Sequence, residues 1–293
     1  MAVNVPIRCG RVFVPLFLFV ATAPAAEDGQ WVMATKNYAN TRYSELDQIN
    51  AGNARDLKLA WTFSTGVFRG QEAAPLVVGD TMYVISPFPN YLYALDLNKG
   101  GQLKWKYDPG GEAAAKGEAC CDWVNRGGAY AEGRIYYNVL DCNTVAVDAN
   151  TGREVWKTRI GDINIGETVT MAPLFARGNV YVGISGGEMG VRGRLTCLDA
   201  ATGKIKWRAW STGPDSDCLI GARFKPYYGS DQGRDLGVKT WPPDHWKIGG
   251  GTVWGFLSFD PESNLIFYGT GNPGSWNPDL RPGDNKWTCG IFA

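Results

Sequence analysis

The 293-residue sequence has a single histidine, His245, and no excess of either charge, with 29 basic and 29 acidic side chains. Catalysis built on an imidazole base would have to use His245, and the surrounding PPDHWK carries no signature of a serine or cysteine hydrolase. A cysteine/histidine zinc site is poorly supplied as well, because none of the seven cysteines is spaced as C-x-x-C. Zero net charge and the lack of a polybasic run remove the electropositive footprint of a nucleic-acid binder. No apolar run reaches the roughly 20 residues that a membrane-spanning helix needs. Helical periodicity is also scarce: only LDQINAGNARDL predicts a short helix, near the N-terminus.

The longest apolar run, VFVPLFLFVATA from Val12 to Ala23, follows Arg8 and Arg11 and precedes the small-residue pattern Ala23-Pro24-Ala25. This is the pattern of a secretory signal peptide, expected to be cleaved after Ala25 or Ala26 with no membrane anchor left. Pro15 inside the run argues further against an anchor. The expected organisation is therefore a signal over residues 1–25 and one domain over 26–293, exported to an oxidising compartment. Cys9 falls in the signal, which leaves Cys120, Cys121, Cys142, Cys197, Cys218 and Cys289 where disulfides persist.

What the sequence has in abundance is glycine and tryptophan, 38 and 12 residues, a pairing that suits short strands joined by tight turns around large apolar anchors. The segments ALDLNKGGQLKW, AVDANTGREVW and CLDAATGKIKW share an aspartate, a glycine-bearing turn and a closing tryptophan, at Trp105, Trp156 and Trp207. Asp148 and Asp199 lie 51 residues apart, and Asp96 and Asp148 lie 52 apart. Within a unit, alternation as in RLTCLD predicts a strand, Asp-x-x-Thr-Gly a hairpin turn, and KIKW the returning strand. Another predicted pair precedes each, as in APLVVGDTMYVIS, RGGAYAEGRIYYNV and APLFARGNVYVGIS. Four strands in roughly 50 residues is one blade of a β-propeller, with the tryptophans packed between blades. A β-sandwich has strands at similar spacing, but recurrence of a whole four-strand cassette argues against it. About five blades are expected at roughly 50 residues each, and the last segment, KWTCGIFA, reads as a strand.

Several short constellations stand apart from the repeat. In GEACCDWVNRG, Cys120 and Cys121 are neighbours whose Cα atoms are about 3.8 Å apart across a trans peptide, shorter than the usual disulfide range. They either bond elsewhere, to Cys142 or Cys218, or form a flat sulfur platform facing a ligand. In GISGGEMGVRG, two glycines allow a close approach of backbone, and Glu188 adds a carboxylate suited to a hard cation. Trp254 follows three glycines in GGGTVWG, which can present its ring at a mouth. Asn272, between Gly271 and Pro273, offers an amide oxygen fixed in direction. Oxygen donors from Glu188 and Asn272 suit calcium or a lanthanide, although two ligands do not complete a site.

Taken in order and spacing, FSTGVFRGQEAAPLVVGDTMYV, CCDWVNRG, SGGEMGVRG, WKIGGGTVWG and GTGNPGSWNPDLRPGDNKW resemble the pyrroloquinoline quinone (PQQ)-dependent alcohol dehydrogenases, the methanol dehydrogenase large subunits in particular. The resemblance runs over essentially the whole chain after the signal. It implies an eight-bladed propeller roughly twice as long as this chain, with the quinone on its axis, so that the present sequence reads as the N-terminal part. It implies a Cys120–Cys121 disulfide over one face of the quinone and the Trp254 indole under the other. Arg126, Thr170, Ser185 and Thr252 match positions that hydrogen-bond the cofactor, Gly186 and Gly187 bring backbone to it, and Glu72 matches a further contact. Glu188 and Asn272 match metal ligands, where the ion serves as a Lewis acid.

The function so implied is periplasmic oxidation of methanol or other small primary alcohols to aldehydes, with electrons passed to a cytochrome c. A homodimer or a small subunit is compatible with it, and no nucleic acid is involved. The catalytic aspartate of the family lies roughly 40 residues beyond the Asn272 position and acts as general base, whereas this sequence ends 21 residues after Asn272. SGGE rather than SGAE, and GETVTMAP, lean toward the lanthanide type over the calcium type. Gln71, where many relatives have histidine, is a departure without an interpretation. A quinoprotein for ethanol or longer alcohols is the nearest alternative. A non-enzymatic propeller scaffold would have no need of Cys-Cys, Ser-Gly-Gly-Glu or an axial tryptophan.

Overall fold

The structure, a computed structural model, describes residues 29–119 and 121–293. The expected signal, 1–25, and Cys120 lie outside the described residues. Three four-stranded antiparallel sheets follow one another along the chain. The first contains β1 (Leu76–Val78), β2 (Thr81–Ile85), β3 (Leu92–Asp96) and β4 (Gln102–Tyr107). The second contains β5 (Gly128–Ala131), β6 (Arg134–Val139), β7 (Asn143–Asp148) and β8 (Glu154–Arg159). The third contains β9 (Leu174–Ala176), β10 (Asn179–Gly183), β11 (Arg194–Asp199) and β12 (Ile205–Trp210). A three-stranded sheet of β13 (Ser258–Asp260), β14 (Leu265–Gly269) and β15 (Ile291–Phe292) comes last. In each sheet every strand pairs with the next in sequence, and β5 packs beside both β1 and β9. That is the meander of propeller blades whose first strands lie side by side, the fold class expected from the repeat.

The repeat acts through its turns. Asp148 Oδ1 accepts the N–H groups of Asn150 and Thr151 and the Thr151 hydroxyl, and Asp199 Oδ1 does the same for Thr202. These bonds stabilise the ionised aspartate and hold both carboxyls below the usual range. Each turn closes on a glycine with positive φ, Gly152 and Gly203 both at +71°. The strand register slips by one residue at the same place in each of the three blades, after Ala94, Ala146 and Cys197.

Those glycines are also the docking points for the tryptophans. A Cβ on Gly101 would lie 2.4 Å from the Trp61 ring, one on Gly152 2.7 Å from Trp105, and one on Gly203 2.6 Å from Trp156. The turns at Gly152 and Gly203 therefore lie flat on the outer-strand tryptophan of the blade before, Trp105 of β4 and Trp156 of β8. The Gly101 turn covers Trp61 of the segment that precedes β1, and Trp156 Nε1 donates across the gap to Ala200 O at 2.9 Å. Trp207, which no described glycine covers in this way, is 37 % exposed, so the expectation of interblade packing holds for Trp105 and Trp156 and not for Trp207. Inside each blade the same tyrosine meets the same tryptophan: Tyr83–Trp105, Tyr136–Trp156 and Tyr181–Trp207, at 5.8 to 5.9 Å between ring centroids.

The second blade is buried on both faces, because alternate side chains of β6 point to opposite sides. Tyr136 enters the core shared with the third blade, and Tyr137 enters the core shared with the first. Both hydroxyls find a carbonyl on a neighbouring blade, Ala200 O for Tyr136 and Asn90 O for Tyr137. The N-terminal segment runs along these sheets, Trp31 pairing with Val77 and Met33 with Ala129. The short helix expected from LDQINAGNARDL is a single 3-10 turn, Ala54–Asp56. No helix among the described residues is long and apolar enough to cross a membrane.

Candidate active site

In an antiparallel meander the entry of the first strand and the exit of the second fall at the same end of the blade. The sequence-predicted site residues occupy those two places. Glu72, Thr170 and Trp254 each stand four residues before the first strand of their blade, at β1, β9 and β13, and Arg126 stands two before β5. Ser185 to Glu188 follow β10, and Asn272 follows β14. Side chains from distant parts of the sequence thus meet at one end of adjacent blades.

They meet around a cavity of about 460 Å³. Cys121, Arg126, Thr170, Ser185, Gly186, Gly187, Glu188, Thr252, Trp254 and Asn272 line it. Glu72 is not in the lining but reaches it through Arg126, whose Nε is 3.3 Å from Glu72 Oε2. Arg126 is the hub of a polar chain. Its Nη1 donates to Thr170 Oγ1 at 2.7 Å, and the Thr170 and Ser185 hydroxyls are 3.1 Å apart. Its backbone N–H donates to Thr170 O at 3.0 Å, and its Cζ lies 5.7 Å from the centroid of the Trp254 ring. The indole is 49 % exposed, the presentation expected of a residue that faces a cavity rather than a blade interface.

Glycine is required at two points of this wall. Gly186 has φ +106°, and a Cβ there would lie 2.1 Å from Gly166 O. Gly187 begins a 3-10 turn, Gly187–Met189, and a Cβ on it would press on Thr252 Oγ1 at 3.1 Å. The adjoining wall is held by backbone: Gly251 N–H donates to Asn272 O and Gly271 N–H to Thr252 O, both at 2.9 Å. These two bonds tie the Thr252 segment to the Asn272 loop.

Cys121 is disulfide-bonded, and its expected partner Cys120 lies outside the described residues. Cys142, Cys197, Cys218 and Cys289 are free, which removes the alternative of a bond from Cys121 to Cys142 or Cys218. Asp122, Thr168 and Trp276 also line the cavity, with Ala119 and Val124, and sequence reasoning missed them. Asp122 stood beside the cysteine pair and Trp276 four residues after Asn272, so proximity to a motif was the available signal. Thr168 carried the same signal, two residues before Thr170, and it pairs with Ser185.

The donor set fits a flat ligand that carries an anionic group and hydrogen-bond acceptors. An indole and a disulfide-bonded cysteine supply apolar surface, Arg126 supplies positive charge, and three hydroxyls supply directional hydrogen bonds. The volume falls within the range of about 300–1,000 Å³ common to small-molecule and cofactor sites. The Glu188 carboxylate and the Asn272 side-chain amide make no hydrogen bond or ion pair with any described residue, and both face the cavity. A free carboxylate beside an anionic ligand calls for a cation between them. No cluster of three or more acidic, cysteine or histidine side chains among the described residues could hold that cation unaided, so the ligand itself would have to complete the coordination.

A family model described as the PQQ glucose/ethanol/alcohol dehydrogenase β-propeller domain matches residues 31–293. The chain belongs to this family. It is 54 % identical over 269 residues to the lanthanide-dependent methanol dehydrogenase of Methylacidiphilum fumariolicum (strain SolV), covering 91 % of this chain and 44 % of that protein. It is 49 % identical over 275 residues to methanol dehydrogenase [cytochrome c] subunit 1 of Methylorubrum extorquens, covering 91 % and 44 %. Among solved structures it resembles a europium-containing methanol dehydrogenase with a TM-score of 0.87 and 54 % identity, over 90 % of this chain and 46 % of that one. The chain thus spans less than half the length of these relatives.

Proposed function

We propose that this chain is the N-terminal part of an exported, periplasmic PQQ-dependent dehydrogenase that oxidises methanol or other small primary alcohols to aldehydes, with a cytochrome c as electron acceptor. The observation that carries the reading is the shared cavity: Trp254, Cys121, Arg126 and the unpaired pair Glu188 and Asn272 line one space of suitable size. Family membership and the activities for which the relatives are named support the reaction class. The proposed organisation keeps residues 1–25 as a cleaved export signal and 26–293 as propeller.

Each residue then has a physical task. Trp254 gives a flat floor for a ring system and, beside Arg126, a surface that favours stacking of an anionic aromatic. Arg126 neutralises a ligand carboxylate and is itself oriented by Glu72 and Thr170. Ser185 and Thr252 direct hydrogen bonds into the cavity, and Gly186 and Gly187 let the backbone approach without a side chain between. Glu188 and Asn272 would hold the metal ion, for which a lanthanide is favoured over calcium by SGGE and by the lanthanide-dependent relative. When bound, the quinone supplies a two-electron acceptor for hydride and the ion supplies Lewis acidity.

The test is binding of PQQ to the purified chain in the presence of La³⁺ or Ca²⁺, followed by quenching of tryptophan fluorescence. Saturable quenching that weakens in Trp254→Ala and loses its metal dependence in Glu188→Gln is expected. Because the resemblance places the proton-accepting aspartate beyond residue 293, the 293-residue polypeptide should bind quinone without turning over methanol. No binding with either ion would refute the reading, and alcohol-dependent dye reduction by this polypeptide would refute the placement of the base.

A further inference from the structure

Behind the cavity lies a buried ion pair that the proposed chemistry does not use. Arg194 opens β11 and Glu167 stands in the loop before β9; their side chains are 5 % and 6 % exposed. Arg194 Nη1 and Nη2 donate to the two carboxylate oxygens of Glu167, and Nη2 also donates to Ile160 O at 2.9 Å. Glu167 Oε2 additionally accepts the Asp162 N–H at 2.8 Å. As a stability device the pair is a poor choice. Desolvation of two charges offsets most of their attraction, and Arg194 Nε is buried without a hydrogen-bond partner.

Its placement suggests a different task. Glu167 sits between two contacts with the turn that carries the site. The preceding carbonyl, Gly166 O, is packed on Gly186, and the Thr168 carbonyl accepts the Ser185 N–H at 2.8 Å. In the other direction Arg194 Cζ lies 4.9 Å from the Trp210 ring centroid, and Arg192 Cζ lies 4.4 Å from the same ring and 4.7 Å from Trp246. Trp246 belongs to the 3-10 turn His245–Ile248, which leads through Gly249 to Gly251 into Thr252 and Trp254. Arg192 pairs with Gly250, its Nε donates to Thr212 O at 3.0 Å, and the Thr212 hydroxyl donates to Trp246 O at 2.8 Å. A contiguous row of charge and indole thus runs from Glu167 to Trp246, and its two ends adjoin neighbouring segments of the cavity wall, which also meet directly where Val253 N–H donates to Ile184 O at 3.0 Å.

We propose that Glu167, Arg194 and Arg192 are positioning residues: the row braces the segment of Thr170 and Ser185 against the segment of Thr252 and Trp254 from behind the cavity, and so sets where the indole and the hydroxyls meet a flat anionic cofactor. The proposal rests on the quinone reading above. Bidentate guanidinium–carboxylate pairs and cation–aromatic contacts are directional, which an aliphatic filling of the same volume is not. A paired apolar replacement should therefore keep the fold and lose the bracing.

The full chain with PQQ and La³⁺ tests this, using Glu167→Gln and the double variant Glu167→Met with Arg194→Met. Quinone affinity is read by tryptophan quenching, and amide exchange at residues 185–188 and 252–254 is read without ligand. Quinone binding is expected to weaken about 10- to 100-fold in both variants, the range for loss of groups that orient ligating residues. Exchange at the two walls should accelerate about tenfold or more as local opening becomes easier, while the double variant melts close to the wild type. A double variant that binds quinone and protects both walls as the wild type does would overturn the proposal. If it does not fold, Glu167→Gln, which keeps the shape but replaces one accepting oxygen by an amide NH2 that cannot accept from Arg194, decides by the same two readouts. If the wild type itself fails to bind quinone, the functional reading falls, and wall exchange alone decides the positioning role.

Discussion

Replacing Gly203 by alanine tests whether the repeat's glycine is kept for backbone conformation alone or also as a seat for the neighbouring tryptophan. Gly203 has φ +71°, and an added Cβ would lie 2.6 Å from Trp156 Cδ2 and 2.7 Å from Thr158 Oγ1. The indole cannot easily give way, since it is 9 % exposed, bonded to Ala200 O and packed on Tyr136. Gly178 has nearly the same backbone, φ +70°, with nothing within 4 Å of its notional Cβ. Gly178→Ala should therefore cost only the left-handed strain, about 1–2 kcal/mol. Gly203→Ala should add overpacking of about 1–3 kcal/mol. Urea denaturation of the two variants beside the wild type measures both losses, and the difference between them isolates the contact. Equal losses would refute the claim that the glycine–tryptophan contact carries interblade energy.

Two further expectations concern the thiols. Cys289 is exposed whereas Cys142, Cys197 and Cys218 are buried, and burial pushes all three buried thiols up, Cys218 to about 12; iodoacetamide at pH 8 should label Cys289 and spare those three until the protein is unfolded, as mass spectrometry of the peptides would show. Burial raises Cys197 from 9.0 to about 11, so its contribution to stability is present in full below pH about 9 and fades as pH rises toward 11, a loss of at most about 3 kcal/mol at 1.4 kcal/mol per unit. Urea midpoints from pH 8 to 11 should fall less steeply for Cys197→Ala than for the wild type, and parallel slopes would refute the assignment.

The blades were legible because their determinants are local. Asp148, Thr151 and Gly152 lie within five residues and specify a turn by hydrogen bonds to their own backbone, so the pattern survives in a string of letters. The partner of Trp156 was not legible in the same way. Gly203 lies 47 residues on, and only the stacking of blades shows that the second repeat's tryptophan is covered by the third repeat's turn. The candidate site divides likewise. Trp254 and Glu188 could be singled out from the glycines around them, which free the backbone locally. Arg194 could not, because its importance comes from Glu167 and Trp210, brought to it by a loop and a register that no short motif encodes. Asp122 and Trp276 lie inside GEACCDWVNRG and GTGNPGSWNPDLRPGDNKW, but nothing local distinguishes them there from residues that face away from the cavity.

The two ends of the blade explain why repeat and site do not interfere. The Asp-x-x-Thr-Gly turns join the third strand to the fourth, which in a meander places them opposite the end where the first strand begins. Positions at the site end are equivalent in geometry but not in chemistry: Glu72, Thr170 and Trp254 each stand four residues before a first strand, yet supply a carboxylate, a hydroxyl and an indole. The scaffold can therefore hold its spacing through one repeated set of contacts while each blade contributes a different group to a single cavity. A change at Gly203 should accordingly move the unfolding transition and leave ligand affinity nearly untouched, whereas a change at Arg126 should do the reverse.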